Sequence, residues 1–533
     1  MTTIEDFSVK KELRRFGETT SVRGVPRALK SSDQVLRVIW IMALVVSVSM
    51  TIWQLQKVFA KYLKYEKVST IKDVSNEAVF PWVTVCSQSP LGDDINTKLN
   101  WTQFVNDIQA RTEFVNNSTH ALQALFAMKV SEVLDLLKMF SSPFGYIANL
   151  PMPTGSHASH RLPPFVVDCD YFDWQLNRYA ELECSNTIHE VWDPNYYRCY
   201  SFRPPANSSK LIRALTGFFY VGDFFDDQQP FFSTNIGMSQ ASGIKVSVHA
   251  PGTGAKIEVS EKIGPGTETL IHVSQTKNTR LPDPYGTCTE QLNLDGPDVR
   301  EGANVYTSDI CFGLCLQQQY VDRCRCVYAF LPFNESQLER GNYMSCGNQS
   351  LLSDKDSHSV NVSMLLDFVS RQNCVLSLSS SSPDNCDCPD PCQEYSYDVR
   401  IDDAPWPHRT YQLAFYETFI APHQDIYGNR FDVYGEIAKL VGNITGVEVM
   451  TMIDNAKLIK ENFVRVDVLF DSYSSLELAE VPAMTDERLA ANIGGVLSLW
   501  MGITTIALIE IIELLYNMAR SFKRSRDQTG PTE

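Results

Sequence analysis

All fourteen cysteines of this 533-residue chain lie between two long apolar segments, one near each end. The first occupies about residues 35–59 and the second about residues 493–516, whereas the cysteines begin at Cys86 and finish at Cys392. Cystines persist in oxidising compartments, so the middle of the chain is expected outside the cell and both tails inside it. A hydrocarbon core about 30 Å thick needs roughly 20 apolar residues per helix, and no charge interrupts residues 38–56 or 493–509. A signal peptide is the rival reading of the first segment, but about thirty polar residues precede it and no small-residue cleavage site follows. Lys10, Lys11, Arg14, Arg15, Arg23, Arg27, Lys30 and Arg37 precede the first span, and Arg520, Lys523, Arg524 and Arg526 follow the second. That bias puts both ends in the cytosol. The Asn-X-Ser/Thr acceptors Asn100, Asn116, Asn117, Asn207, Asn334, Asn348, Asn361 and Asn443 all fall in the expected external part, as glycosylation requires.

The external part is large enough for several subdomains. A formal net charge of −17 is unlike a nucleic-acid binder. A surplus of carboxylates favours cations nearby, although plain solubility explains it equally well. No Gly-X-Ser-X-Gly, His-Glu-X-X-His or P-loop occurs, which speaks against an ectoenzyme.

Apolar residues recur at helical spacing from Trp101 to Phe140, which predicts outer helices. Residues 252–266 read as turns between strands. Ile244, Val246 and Val248 alternate with Lys245 and Ser247, predicting a half-buried strand, and Val464, Val466, Val468 and Phe470 repeat the pattern in a strand that leads towards the second span. Cys311 and Cys315 are four apart and Cys386 and Cys388 two apart. Four residues of helix rise about 6 Å and two of strand about 6.6 Å, so two parallel bridges between such elements fit. Zinc is the competing reading, but Cys324-Arg-Cys326 and Cys386-Asp-Cys388 lack the usual two-to-four-residue gap. Spacing leaves the connectivity open.

Phe80-Pro81-Trp82-Val83-Thr84-Val85-Cys86, Arg198-Cys199-Tyr200-Ser201-Phe202, Cys386-X-Cys388-X3-Cys392, and Asn492-Ile493-Gly494-Gly495 followed by Gly502, Glu510 and Glu513 together resemble the degenerin/epithelial sodium channel superfamily, which includes acid-sensing and neuropeptide-gated channels. The resemblance covers nearly the whole chain. It implies an α+β membrane protein with two transmembrane helices and a large disulfide-rich α/β ectodomain of palm, finger, knuckle, thumb and β-ball, assembled as a homotrimer or with related subunits around a cation pore. The implied division is a cytosolic segment 1–34, transmembrane helix 35–59, ectodomain 60–490, pore-lining helix 491–516 and cytosolic tail 517–533. The implied bridges are Cys86–Cys199, Cys169–Cys184, Cys288–Cys392, Cys311–Cys388, Cys315–Cys386, Cys324–Cys374 and Cys326–Cys346.

The resemblance also assigns roles. Gly502-Ile503-Thr504 stands at the family's selectivity element, with a bulky Ile503 where small residues are usual. Glu510 and Glu513 are three apart on one helical face, and in a trimer they would form acidic rings that attract cations. The alternative is that both sit at the inner membrane interface within reach of water. The family's His-Gly gating motif reads Arg23-Gly24 here. Ala491 matches a position where bulk holds related channels open. Tyr65 and Tyr285 match an aromatic contact between ectodomain and pore. The histidine pair of acid-sensing members is missing after Tyr65, so opening by protons is not favoured. Carboxylate pairs with raised pKa remain a route to acid sensing. A run containing Phe218, Phe219, Tyr220, Phe224, Phe225, Asp226 and Asp227 would suit a basic, aromatic peptide; the alternative is a buried strand with an acidic turn.

The expectation is therefore a trimeric, ligand-gated, sodium-preferring channel of the plasma membrane. It is opened by an extracellular neuropeptide, is amiloride-sensitive by resemblance, and has Na+ as its permeant ion with no cofactor or metal. Its partners are the lipid bilayer, further copies or related subunits, and the peptide, with no nucleic acid. The alternatives are a proton- or bile-acid-modulated or constitutive channel of the same superfamily, and a two-span adhesion receptor without conduction.

Overall fold

The computed structural model describes residues 9–22, 24–75, 78–88, 113, 162–173, 178–179, 182–193, 196–222, 241–290, 304–328, 331–332, 344–347, 362–379, 386–472 and 474–528. The expected helices between Trp101 and Phe140 lie outside these residues, as do Arg23, Phe224, Phe225, Asp226, Asp227 and the sequons at Asn100, Asn116, Asn117, Asn334, Asn348 and Asn361.

In chain order, helices α1 (Val9–Thr19), α2 (Val25–Lys30) and α3 (Gln34–Tyr62) are followed by strands β1 (Lys67–Val74) and β2 (Trp82–Ser87). Next come β3 (Val166–Asp173), β4 (Arg178–Tyr179), β5 (Ile188–Asp193), β6 (Tyr197–Phe202), β7 (Ile212–Tyr220), β8 (Ile244–His249), β9 (Glu261–Ile263) and β10 (Thr267–Thr279). After these, α4 (Ser308–Cys324), β11 (Cys326–Val327), β12 (Met344–Ser345), α5 (Val362–Ser379) and β13 (Gln393–Pro405) lead to α6 (Asp432–Leu440) and α7 (Gly446–Ala456). The chain closes with β14 (Phe463–Phe470), β15 (Ser475–Pro482), α8 (Asp486–Met501) and α9 (Thr505–Gln528).

Two compact units result: a helical one (Met1–Thr70, Asp283–Gly286, Glu480–Glu533) and a strand-rich one (Ile71–Pro282, Thr287–Ala479). The strand-rich unit is organised by β10. Along its full length β10 pairs antiparallel with β13, from Thr267↔Pro405 to Thr279↔Gln393. Its other edge takes β14 in parallel (Glu268↔Arg465) and then β15 (Thr276↔Leu476). The sheet continues through β7, β3 and β4. A second sheet has the order β5-β6-β2-β8-β9. One core unites them, with Phe80, Val85, Tyr200, Phe219, Ile271 and Phe470 all buried.

The Val464–Phe470 alternation is realised in β14, where Val464, Val466, Val468 and Phe470 are buried and Arg465, Asp467 and Leu469 half-buried. β15 intervenes before α8, so β14 does not itself feed the second apolar segment. The half-buried reading of β8 needs correction: Lys245 and Ser247 are buried as well as Ile244 and Val246. The long stem of Lys245 carries its ammonium to the carbonyls of Ile257 and Glu258, at 2.6 and 2.8 Å. A buried charge is tolerable when hydrogen-bonded in this way. Cys386 and Cys388 likewise lie in an irregular segment rather than a strand, while Cys311 and Cys315 are on α4, which Thr307 caps by accepting from Ile310 N. Residues 252–266 hold a short 3-10 turn (Ile257–Val259) and β9 among their turns.

Seven cystines join Cys86–Cys199, Cys169–Cys184, Cys288–Cys392, Cys311–Cys388, Cys315–Cys386, Cys324–Cys374 and Cys326–Cys346, the pairs that the resemblance implies. Cys86 and Cys199 stand directly opposite each other on β2 and β6. Among the described residues no cluster suits a metal ion.

Candidate functional site

The two apolar segments fold differently. The first is the uninterrupted 29-residue α3, capped where Asp33 accepts from Val35 N, and among the described residues it alone is long and apolar enough to cross a membrane. The second is broken. α8 starts at the Thr485 cap and stops where Gly502 turns left-handed, with φ 64°. Gly502 N donates to Ser498 O at 3.0 Å and Ile503 N reaches back to Leu497 O at 3.3 Å, so the last turn is closed around a left-handed glycine. That backbone costs an L side chain roughly 1–2 kcal/mol, which is why glycine belongs there. Gly502, Ile503 and Thr504 are non-helical, and the helix resumes at Thr505. Breaking the helix takes its last carbonyls out of the regular ladder. At membrane depth such backbone is tolerated where protein buries it or water reaches it, and ordered carbonyls can replace a cation's hydration shell.

Glu510 and Glu513 both project from α9 but meet different surroundings. Glu510 is half-buried, and its Oε2 accepts from Thr20 Oγ1 at 3.0 Å, Ser21 N at 2.8 Å and Ser21 Oγ at 3.1 Å. Glu513 is exposed. The Thr20–Ser21 turn joins α1 to α2, whose cap is Gly24 at φ 97°. A Cβ on Gly24 would meet Leu44 Cγ of α3 at an ordinary 3.4 Å contact, so it is the positive φ that calls for glycine. Sequence reasoning missed Thr20 and Ser21 because nothing in a short polar pair advertises a carboxylate partner nearly 490 residues away.

It also missed the bond that joins the apolar segments, in which Trp500 Nε1 donates to Gln54 Oε1 at 2.8 Å. An amide inside an apolar run was the available signal, because such groups seek a partner across a helix interface. Ala491 is exposed on α8. Tyr65 and Tyr285 come together edge to face, with ring centroids 5.3 Å apart at 86°. Tyr62 OH donates to Asp486 Oδ1 at 2.8 Å on the first turn of α8.

The described part of the aromatic run is core. Phe219 and Tyr220 are buried. Half-buried Phe218 stacks on Trp406 at 5.7 Å, and Tyr220 OH accepts from Arg430 at 2.6 Å. A ligand role for Phe218, Phe219 and Tyr220 is therefore replaced by packing: β7 lies between two apolar clusters and uses both of its faces. Asn207 and Asn443 are exposed, as acceptors of glycan must be. The absent histidine pair leaves His249 as a deeply placed imidazole. Its Nε2 shares a hydrogen bond with Thr84 Oγ1 at 2.9 Å. Burial, then Arg203, pushes its pKa down to about 4. On β3, burial raises the pKa of Asp168, with Asp170 adding to the effect, and burial also raises that of Asp170.

A family model described as amiloride-sensitive sodium channel matches residues 16–514. The FMRFamide-activated amiloride-sensitive sodium channel of Cornu aspersum is 24% identical, over 95% of this chain and 83% of its own. Acid-sensing ion channel 4 of Rattus norvegicus is 22% identical over 96% and 80%. The bile acid-sensitive ion channel of Homo sapiens is 21% identical over 95% and 86%. With a broken apolar segment, two acidic side chains beyond the break and seven cystines before it, the chain belongs to the amiloride-sensitive sodium channel family.

Proposed function

We propose that this protein is a trimeric, sodium-preferring, amiloride-sensitive channel of the plasma membrane, opened by an extracellular neuropeptide. Residues 35–59 and 491–516 are its two spans, 60–490 its glycosylated ectodomain, and 1–34 and 517–533 its cytosolic ends. The observation that carries the reading is the left-handed break at Gly502 inside an otherwise apolar, membrane-length segment. An adhesion anchor has no use for an opened helix. A pore does, because carbonyls released at Gly502, Ile503 and Thr504 can line a hydrated constriction. The exposed carboxylate of Glu513, repeated in three copies, would concentrate cations beyond it, while Glu510 holds the N-terminal turn against the same helix.

Peptide gating is supported by the FMRFamide-activated relative and by the missing histidine pair. Tyr65 against Tyr285 is the contact through which opening would pass, and bulk at Ala491 would hinder closure. A second reading, acid modulation, is favoured by the raised pKa values of Asp168 and Asp170 on β3.

Expression of this chain alone in oocytes under voltage clamp tests the proposal. FMRFamide-evoked, amiloride-blocked inward current with a sodium-dependent reversal potential is the expected result. Current evoked only by acid would select the second reading, and silence with protein present at the surface would refute a homomeric peptide-gated channel.

A further inference from the structure

On β10, Ile271 and Val273 are buried in the core, so His272 between them lies on the opposite face of the sheet. Strand β13 alternates in the same way: Val399 and Ile401 pack against the core, and Asp398, Arg400 and Asp402 are exposed. Two carboxylates from distant parts of the chain meet at the His272 ring. Its Nδ1 lies 2.7 Å from Asp471 Oδ1, one residue past the end of β14, and its Nε2 lies 3.3 Å from Asp402 Oδ2 on β13. Arg400, directly opposite His272 in the register of β10 with β13, reaches Asp471 Oδ2 at 3.6 Å. A single side chain of β10 thus bridges its neighbours on both sides.

An ionised carboxylate only accepts hydrogen bonds, and a neutral imidazole has one N–H and one lone pair. Both contacts can therefore be hydrogen bonds only when the ring carries two protons. The charges agree with that state. Asp402 and Asp471 then face two cations, Arg400 and the imidazolium, whereas a neutral ring leaves one carboxylate unmatched. By register, the nearest other charged positions on this face are Glu268 on β10, Asp398 on β13, and Arg465 and Asp467 on β14. Arg465 engages Glu268 at 3.1 Å and Asp467 at 3.0 Å, and Asp398 accepts from Thr276 at 3.5 Å. Among the described residues no other ion pair involves the ring. The His272 side chain is 16% exposed and that of Asp402 68%, so water can take over Asp402 once the ring no longer donates to it.

We propose that His272 is a proton-operated strap across β10. With its ring charged it holds Asp402 and Asp471 together. When one nitrogen loses its proton, the remaining N–H stays on the shorter contact to Asp471, and Asp402 is released. Histidine is the side chain that changes charge between about pH 5 and 8, so external pH sets how firmly β13 is tied to the end of β14. Position gives the strap its consequence. Asp471 N also donates to Val273 O at 3.0 Å, and four residues later the chain enters β15, which is followed by α8. The strap therefore acts on the strand exit that precedes the second apolar segment. It acts whichever ligand opens the channel, so it stands or falls apart from peptide gating.

Hydrogen–deuterium exchange of the full-length, detergent-solubilised protein, read by mass spectrometry at pH 6 and pH 8, tests the strap. Rates are expressed as protection factors, which removes the intrinsic acceleration of exchange by hydroxide. From pH 6 to pH 8 the amides of residues 398–405 should lose protection by about three-fold or more, the effect of one hydrogen bond of ordinary net strength. His272→Gln, which cannot change charge, should show equal protection at both pH values. His272→Arg, permanently charged and carrying a two-armed donor, should hold the pH 6 level at both. Asp402→Asn leaves the ring in place and removes its charged partner, so it too should lose the pH difference. Because Asp402 is exposed, this variant decides the matter even where a His272 substitution fails to fold. Residues 82–87 of β2, in the other sheet, serve as the internal control, and His249, with a pKa of about 4, stays neutral across this window. A wild type whose protection does not change with pH would overturn the strap. So would a loss in Asp402→Asn as large as in the wild type.

Discussion

The strand-rich unit and the helical unit keep their order by different means. In the first, seven cystines, two sheets and a shared aromatic core are all made within the chain. In the second, among the described residues, there is no cystine, and apolar side chains such as Val35, Ile52, Leu499, Ile509 and Leu515 stand exposed. Among the described residues its segments are joined by polar contacts that include Gln54 with Trp500, Tyr62 with Asp486, Arg37 with the Ala28 carbonyl, and Glu510 with Thr20 and Ser21. The lesson is physical. A unit whose apolar faces are uncovered needs lipid or further copies to complete it, and its few polar bonds are then the parts that can rearrange at low cost.

The sharpest way to break that contrast is to cut the first unit's covalent ties. Cys86–Cys199 closes a loop with a sequence separation of 113, for which chain entropy gives about 4–5 kcal/mol. Cys86→Ser with Cys199→Ser should abolish surface expression, measured by biotinylation. Survival at wild-type level would mean that the sheets alone suffice. Next in size is the Glu510 clamp. Three hydrogen bonds to one carboxylate predict that Glu510→Gln and the pair Thr20→Val with Ser21→Ala shift open probability in the same direction and non-additively. Glu513→Gln should instead lower single-channel conductance. Additive effects from Glu510 and Thr20/Ser21 would show that they act separately.

A third expectation concerns His249. Its pKa of about 4 lies below the ordinary value of 6.5. Below pH 6.5 the unfolded chain therefore binds the proton that the folded chain refuses, and stability falls as pH drops from about 6.5 towards 4. The ring has some surface open to a cavity beside β8, which discounts the loss to on the order of 2 kcal/mol. His249→Gln should flatten the acid limb of thermal unfolding of the detergent-solubilised channel, and an unchanged limb would place the sensitivity elsewhere.

How much of this was legible beforehand divides along the same line. Hydropathy found both apolar segments but measures length, not continuity, so the end of α8 at Gly502 could not be read from it, and only the resemblance marked Gly502-Ile503-Thr504. Alternation found β14 and missed β13, although Tyr395, Tyr397, Val399 and Ile401 alternate just as cleanly, because charged residues fill the other face. The capping box Thr445–Glu448 that opens α7 was also readable. Lys245 defeated the pattern rule for β8 because a lysine stem can be buried while its ammonium finds carbonyls. Phe218–Tyr220 shows the limit of composition: clustered aromatics announce packing and binding with the same letters, and only the neighbours Trp406, Phe415 and Arg430 decide. The family's cystine pairs came through resemblance, because spacing cannot order fourteen cysteines.

Smaller effects test the helical unit's side of the contrast. Gly502→Val forces a β-branched residue into left-handed backbone, at roughly 1–2 kcal/mol. Reversal potentials should show sodium preference reduced, whereas Gly494→Ala, whose added methyl meets nothing within 4 Å, should leave it intact.

The smallest effect belongs to Tyr65 and Tyr285. An edge-to-face aromatic pair contributes about 0.5–1.5 kcal/mol beyond its buried area, so each alanine substitution should shift the half-maximal FMRFamide concentration by a few-fold to about ten-fold. Core packing alone predicts that Tyr65→Ala and Tyr285→Ala lower surface abundance and leave the concentration dependence of the survivors unchanged. A gating contact predicts the reverse, normal abundance with a shifted curve, and a double variant no worse than the worse single one. Phenylalanine at either position keeps the ring geometry and loses only the hydroxyl, so Tyr65→Phe should restore the wild-type curve if edge-to-face stacking is the operative link. Failure of that rescue would move the coupling to the neighbouring Tyr62–Asp486 hydrogen bond, which the same voltage-clamp series tests through Tyr62→Phe.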